Sequence, residues 1–167
     1  MAIILITGGA RSGKSVRAEA RAKAFAGKPV YIATAEALDD EMRERISGHR
    51  ARRGSEWIDH ETPLELGLAL KATDGGGARL VDCLTLWLSN LIHAERDWSK
   101  ETVLLAETLR AQKSPVVLVT NEVGLGIVPD NALARQFRDA AGLMNQMIAK
   151  VADEVEFIVA GLPIRVK

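Results

Sequence analysis

Cysteine is nearly absent from this sequence. The single Cys83 precludes an intramolecular disulfide and fits a reducing compartment. It sits in the apolar stretch Leu80-Val81-Asp82-Cys83-Leu84 with no basic neighbour, so it reads as a small buried hydrophobe, not a reactive thiol. An excess of charge of either sign is also missing. Lys plus Arg and Asp plus Glu number 22 each, which removes any global field that would draw the chain to nucleic acid or to an anionic membrane. The longest apolar segment, residues 80–92, is interrupted by Asp82, Ser89 and Asn90 and falls short of a bilayer span. Met1-Ala2-Ile3-Ile4-Leu5-Ile6-Thr7 carries no basic stretch and too short an apolar run for a signal peptide. Repeats, low-complexity tracts and interdomain linkers are lacking. The expectation is one cytoplasmic domain over residues 1–167, with no membrane span and no nucleic-acid partner.

What is present is an ordinary globular balance, 47% apolar and 26% charged over 167 residues. A chain of this size buries about 70% of the surface its unfolded form exposes, enough for a full core without metals or disulfides. Short β-rich runs at residues 3–7, 29–33, 78–82, 115–120, 155–160 and 164–166 alternate with stretches of helical period. Those stretches fall at 14–25, 38–50, 63–71, 84–93, 100–112 and 131–151. This alternation predicts an α/β fold with a mainly parallel β-sheet flanked by helices. Thr62-Pro63-Leu64-Glu65 has the form of a capping box with proline at the first helical position. Asp130 is placed to cap the helix after Pro129, and Asp74-Gly75-Gly76-Gly77 reads as a loop.

The chemistry begins at Gly8-Gly9-Ala10-Arg11-Ser12-Gly13-Lys14-Ser15, a complete G-x-x-x-x-G-K-[ST] motif between an expected strand and an expected helix. Glycines allow backbone N–H groups to close round phosphate oxygens, and the helix N-terminus adds partial positive charge. Lys14 can reach the β- and γ-phosphates and Ser15 can place its hydroxyl on Mg²⁺. The motif therefore predicts a binder of a nucleoside triphosphate, GTP or ATP. A phosphate-loop protein needs a second carboxylate at a neighbouring strand end to hold Mg²⁺ or its water. Asp82 is the candidate, its alternative role being the N-cap of the next helix.

A guanine-reading N-K-x-D is absent; Asn121-Glu122-Val123-Gly124 lacks both the Lys and the Asp. Leu38, Met42, Ile46 and His49 recur on one helical face, and Arg50, Arg52 and Arg53 follow at once. Two readings of His49 stand on the residues alone. One is a half-buried helix-end histidine favoured by the helix dipole; the other is a nucleophilic imidazole beside arginines that neutralise phosphate charge. His60 and His93 have no such neighbourhood, and the histidines with Cys83 show no metal-ligand spacing.

Further strings narrow the class. They are Tyr31-Ile32-Ala33-Thr34-Ala35, Asp40-Glu41-Met42 with Arg45-Ile46, and Thr85-Leu86-Trp87-Leu88-Ser89-Asn90-Leu91. Val119-Thr120-Asn121-Glu122-Val123-Gly124-Leu125-Gly126-Ile127-Val128-Pro129 and Phe137-Arg138-Asp139 with Gly142 and Asn145-Gln146 follow. With the phosphate loop, they make the chain resemble the bifunctional adenosylcobinamide kinase/adenosylcobinamide-phosphate guanylyltransferases of cobalamin (vitamin B12) biosynthesis, through nearly its whole length. The resemblance implies a RecA-like P-loop domain that assembles as a homotrimer. It implies phosphorylation of the aminopropanol hydroxyl of adenosylcobinamide, then transfer of GMP from GTP to that phosphate through a guanylylated histidine at His49. Nucleotide contacts are implied at the phosphate loop, at Ala33, Thr34 and Ala35, at Arg50, Ala51, Arg52 and Arg53, and at Glu61 and Asp82. Ser15 and Asp82 would hold Mg²⁺. The loop at residues 122–129 and the region of Trp87 are candidates for the corrinoid pocket. An enzyme with guanylyltransferase activity alone, or a non-catalytic GTP-binding switch, are the alternatives.

Overall fold

The computed structural model describes residues 1–36, 48 and 54–167. Most of the helix expected over 38–50, together with His49 and the string Arg50-Ala51-Arg52-Arg53, lies outside the described residues.

The described chain runs β1 (Ile3–Gly8), α1 (Lys14–Lys23), β2 (Val30–Ala33), a 3₁₀ turn (Gly54–Glu56), β3 (Ile58–Glu61), α2 (Leu66–Ala72), β4 (Arg79–Asp82) and α3 (Leu84–His93). It continues with α4 (Trp98–Arg110), β5 (Val116–Val119), α5 (Ala132–Val151), β6 (Glu154–Val159) and β7 (Leu162–Arg165). The strands form one sheet in the order β3-β2-β4-β5-β1-β6-β7. Every neighbouring pair is parallel except the β6–β7 hairpin. The sheet is α/β and mainly parallel, as the alternation of runs predicts.

Strand side chains alternate between faces, and here each face has its own core. One is thick: Ile3, Leu5, Ile32, Val81 and Leu118 pack against Leu66, Leu70, Trp87, Leu91, Leu109 and Met144 of the helices. The other is thinner, with Ile4, Ile6, Tyr31, Leu80, Val117 and Val119 under Ala18 and Ala22 of α1 and beside Trp57. All four residues of β5 are buried, which explains their unbroken Val/Leu composition. No helix among the described residues is long and apolar enough to cross a membrane.

Three local expectations are corrected. Strand β3 was not foreseen because Ile58-Asp59-His60-Glu61 is polar; it pairs only with β2, at the sheet edge. The capping box does not start α2, whose N-cap is Glu65 and has no side-chain cap bond. The carbonyls of Pro63 and Leu64 instead accept hydrogen bonds from Asn90 Nδ2 (3.0 Å) and Trp87 Nε1 (2.8 Å), so tertiary packing takes the groups a first helical turn would use. The cap of α5 is Asn131, whose Oδ1 accepts from Ala134 N at 2.7 Å. Asp130 contributes its backbone carbonyl, which accepts from Arg135.

Candidate active site

The carboxyl ends of the parallel strands bring distant residues into line. Glu61 on β3 is in register with Ala33 on β2, Ala33 with Asp82 on β4, Asp82 with Val119 on β5, and Val119 with Ile6 on β1. The phosphate loop leaves β1 just beyond that line. With strands about 4.8 Å apart, Asp82 lies roughly 10 Å from the loop strand and Glu61 roughly 19 Å from it. Asp82 shares its face with Leu80, in the core that α1 covers. The carboxylate and the helix that follows the loop are therefore on one side of the sheet.

The loop itself is tightly built. A Cβ on Gly8 would come within 2.5 Å of Ile158 O, and Gly13 has φ +101° with Gly161 Cα 3.2 Å from where its Cβ would be. Only glycine fits either position. Ser12 N donates to Gly9 O (3.3 Å), and Gly161 N, in the β6–β7 turn, donates to Ser12 O (2.8 Å). Lys14 is buried, 7% exposed, and its Nζ donates to Gly9 O at 2.5 Å. The hydroxyls of Thr7 and Ser12 are buried without a hydrogen-bond partner among the described residues. Buried hydroxyls are normally satisfied, so Ser12 leaves polar capacity inside the loop for a ligand, whereas Thr7 lies on β1, on the face of Ile3 and Leu5. Arg17 secures α1 to β6 by donating Nε and Nη2 to Glu156 at 2.7 Å each, and Arg21 adds bonds to Glu156 and Glu154. The Arg17 hydrogen bond holds the Glu156 carboxyl below its ordinary range.

Asp82 is fixed from β2. Tyr31 Oη donates to Asp82 Oδ2 at 2.6 Å. Thr34 N donates to Asp82 O at 3.1 Å, while the Thr34 hydroxyl donates to Cys83 O and accepts from Cys83 N, both at 2.8 Å. The intervening Asp82–Cys83 peptide is cis. Asp82 is not the cap of α3; that position is Cys83, without a side-chain cap bond. Cys83 is buried, and burial, with the Asp82 charge beside it, pushes its thiol up to about 11. That agrees with its reading as an inert hydrophobe.

Thr34 is fully buried with its hydroxyl engaged as above, and its carbonyl accepts from Asn90 Nδ2 at 2.8 Å. Those bonds hold the strand ends together. Trp87 is 1% exposed and lies in the thick core on the opposite face, so it offers no surface to a corrinoid. In the loop 122–129, Leu125 and Ile127 are 80% and 98% exposed, and Glu122 N donates to Gly8 O at 3.0 Å, beside the phosphate loop. A polar cluster anchors this loop. Thr120 Oγ1 donates to Asn145 Oδ1 (2.7 Å), Thr85 Oγ1 accepts from Asn121 N (2.7 Å), and Asn145 Nδ2 donates to Asn121 O (3.2 Å). Thr85, Thr120 and Asn145 had no assigned role in the sequence; the partners are 24 to 36 positions apart, beyond any local pattern.

An acidic strand separated from the phosphate-loop strand by one intervening strand defines a RecA-like phosphate-loop NTPase fold. Solved structures share it. The flagellar accessory protein FlaH from Methanocaldococcus jannaschii is similar with a TM-score of 0.56 at 12% identity, covering 99% of this chain and 78% of that one. A KaiC-like protein from Pyrococcus horikoshii OT3 is similar at 0.53 and 14%, covering 93% and 71%. At such identities the likeness is one of fold. The chain belongs to the cobinamide kinase / cobinamide phosphate guanyltransferase family, whose model matches residues 4–166. It is 47% identical over 169 residues to the bifunctional adenosylcobalamin biosynthesis protein CobP of Pseudomonas aeruginosa, covering 98% of this chain and 96% of that one. It is 41% identical over 181 residues to the bifunctional adenosylcobalamin biosynthesis protein CobU of Salmonella typhimurium, covering 99% of each.

Proposed function

We propose that this chain phosphorylates the aminopropanol hydroxyl of adenosylcobinamide with ATP or GTP, and then transfers GMP from GTP to the new phosphate. Membership of the family over residues 4–166 supports both activities. The observation that carries the chemistry is the juxtaposition of the buried Lys14 in its phosphate loop with Asp82 on the same face and edge of the sheet.

In the kinase reaction the substrate hydroxyl oxygen attacks the γ-phosphorus, the bond to the β-phosphate oxygen breaks, and the hydroxyl proton passes to solvent. Such transfers need mainly positioning and charge neutralisation, which Lys14 and the loop N–H groups provide. In the transferase reaction the His49 imidazole attacks the α-phosphorus of GTP and pyrophosphate departs. A phosphate oxygen of adenosylcobinamide phosphate then attacks the same phosphorus, the N–P bond breaks, and the imidazole recovers its lone pair. Arg50, Arg52 and Arg53 offset the phosphate charge. Ala33, Thr34, Ala35, Ala51 and Glu61 are assigned to the nucleotide, Glu61 beyond Asp82 from the triphosphate.

The oxygen donors of Ser15 and Asp82 suit Mg²⁺, which is commonly held by one or two protein oxygens plus substrate phosphates. Asp82 Oδ1 has no hydrogen-bond partner among the described residues, which leaves it open for that role. Bound there, Mg²⁺ would supply Lewis-acid neutralisation of the phosphates. The proposed enzyme is a cytoplasmic homotrimer.

The test is a labelling assay with Mg²⁺ and GTP labelled at the α-phosphate. Label retained after denaturation, lost in acid, stable in alkali and absent from His49→Ala is expected, with phosphorylation of adenosylcobinamide preserved in that variant. Label retained by His49→Ala overturns the assignment of His49, and tight GTP binding without any label overturns the transferase.

A further inference from the structure

Tyr31 is the only tyrosine in the sequence, and it is 5% exposed in the thinner core. Phenylalanine would fill that place without an acceptor. The hydroxyl is instead aimed at Asp82 Oδ2, 2.6 Å away, across 51 positions of sequence. The ring is held as well. Trp57 meets it edge-on, with centroids 5.9 Å apart and planes at 88°, and Lys23 Nζ lies 5.8 Å from the Trp57 ring centroid while pairing with Glu56. Thr34, the first residue after β2, fixes the backbone on both sides of the Asp82–Cys83 peptide. The end of β2 and the residue that follows it thus clamp Asp82 at its side chain and its main chain together.

We infer that Tyr31 is a positioning residue for the phosphoryl-transfer site: its hydrogen bond to Oδ2 sets the Asp82 rotamer and keeps Oδ1 directed to a divalent cation on the α1 face. An ionised carboxylate accepts about four hydrogen bonds or ligands, so the tyrosine orients the group without exhausting it. Partners that orient a metal ligand in this way typically govern affinity 10- to 100-fold. The inference rests on Asp82 being the Mg²⁺ carboxylate.

The experiment compares the full-length wild type with Tyr31→Phe and Asp82→Asn. Mn²⁺ is the probe, counted by its electron paramagnetic resonance signal in the presence of α,β-methylene-GTP, which cannot yield GMP. Tyr31→Phe should weaken Mn²⁺ binding about tenfold. It should raise the Mg²⁺ concentration for half-maximal kinase rate by a similar factor, leave kcat at saturating Mg²⁺ close to wild type, and keep the thermal midpoint within a few degrees. Asp82→Asn should weaken Mn²⁺ binding further. Asp82→Asn defective with Tyr31→Phe binding Mn²⁺ as wild type, or more tightly, overturns the role of Tyr31 while Asp82 stands. Asp82→Asn binding Mn²⁺ normally overturns both. A lowered thermal midpoint in Tyr31→Phe with unchanged Mn²⁺ affinity makes the hydroxyl structural only and overturns the inference.

Discussion

Strand β4 carries one charge at each end, and the two are treated differently. Arg79, at its start, is fully buried; it forms an ion pair with Asp74 Oδ1 at 3.0 Å and donates Nη2 to Gln112 Oε1 at 2.6 Å. Asp74 also accepts from the N–H groups of Lys113 and Ser114. Burial works against the Asp74 carboxylate, but those N–H groups and Arg79 outweigh it and hold its pKa below the ordinary value of 3.8. Asp82, at the other end, is only partly buried and accepts from Tyr31 through a single oxygen. A fully dehydrated charge survives only with partners close around it, and Arg79, although its Nε and Nη1 make no hydrogen bond among the described residues, is sealed from any ligand by that burial. A working carboxylate needs the opposite: a fixed direction with one side unsatisfied. The amino end of β4 locks the loop 74–77 onto the sheet, and the carboxyl end remains able to act.

The contrast can be broken by substitution. The largest effect is expected from Lys14→Ala, which removes the cation of the phosphate loop. Both activities should fall at least 100-fold, the scale of losing one preorganised transition-state donor, with the thermal midpoint close to wild type; retained activity at saturating GTP would remove Lys14 from the chemistry. Next comes Arg79→Met, which fills the space but strands Asp74. Breaking a buried pair costs about 3–5 kcal/mol, or roughly 6–20 °C in midpoint for a chain of this size, and calorimetry reads it. Nucleotide affinity measured below the transition should not change. If it does, the two ends of β4 are coupled.

The smallest effect is expected from Asp74→Asn at low pH. The folded pKa of Asp74 lies below 3.8, so its carboxylate adds stability above that pH, and the contribution is lost as pH falls through the folded value. At pH 7 Asp74→Asn leaves the buried Arg79 without its counter-charge and should cost about 3–5 kcal/mol; toward pH 3 the wild type loses that charge as well, and the difference shrinks to the smallest of the three. Urea unfolding at both pH values measures the difference, and an equal cost at both would show that the charge is not what stabilises the loop.

Much of the fold was legible because its signals are local. The phosphate loop lies between a run of isoleucines and an Ala-rich helix, and α3 and the end of α5 fall where the helical period places them. Edge strand β3 was missed since a strand paired on one side tolerates Asp, His and Glu. The start of α2 was misplaced since Trp87 and Asn90, from another helix, take the carbonyls of Leu64 and Pro63. The site was legible as a motif but not as an arrangement. Lys14 and Asp82 were each found from their own surroundings, whereas the strand order that puts them on one edge, and the tyrosine that orients the carboxylate, depend on pairings such as Asp82 with Val119, Val119 with Ile6 and Tyr31 with Asp82, all distant in sequence. No local pattern encodes those.

The bond from Gly161 N to Ser12 O has a consequence for synthesis. β1 pairs on one side with β5 and on the other with β6, and the turn between β6 and β7 supports the phosphate loop from outside. A ribosome emits the loop before either neighbour, β5 (Val116–Val119) or β6 (Glu154–Val159). A nascent chain halted anywhere before β5 therefore carries the whole nucleotide motif without the strands that shape it. Nucleotide grip then follows the emergence of β6, as a mark that the sheet around β1 has closed on both sides.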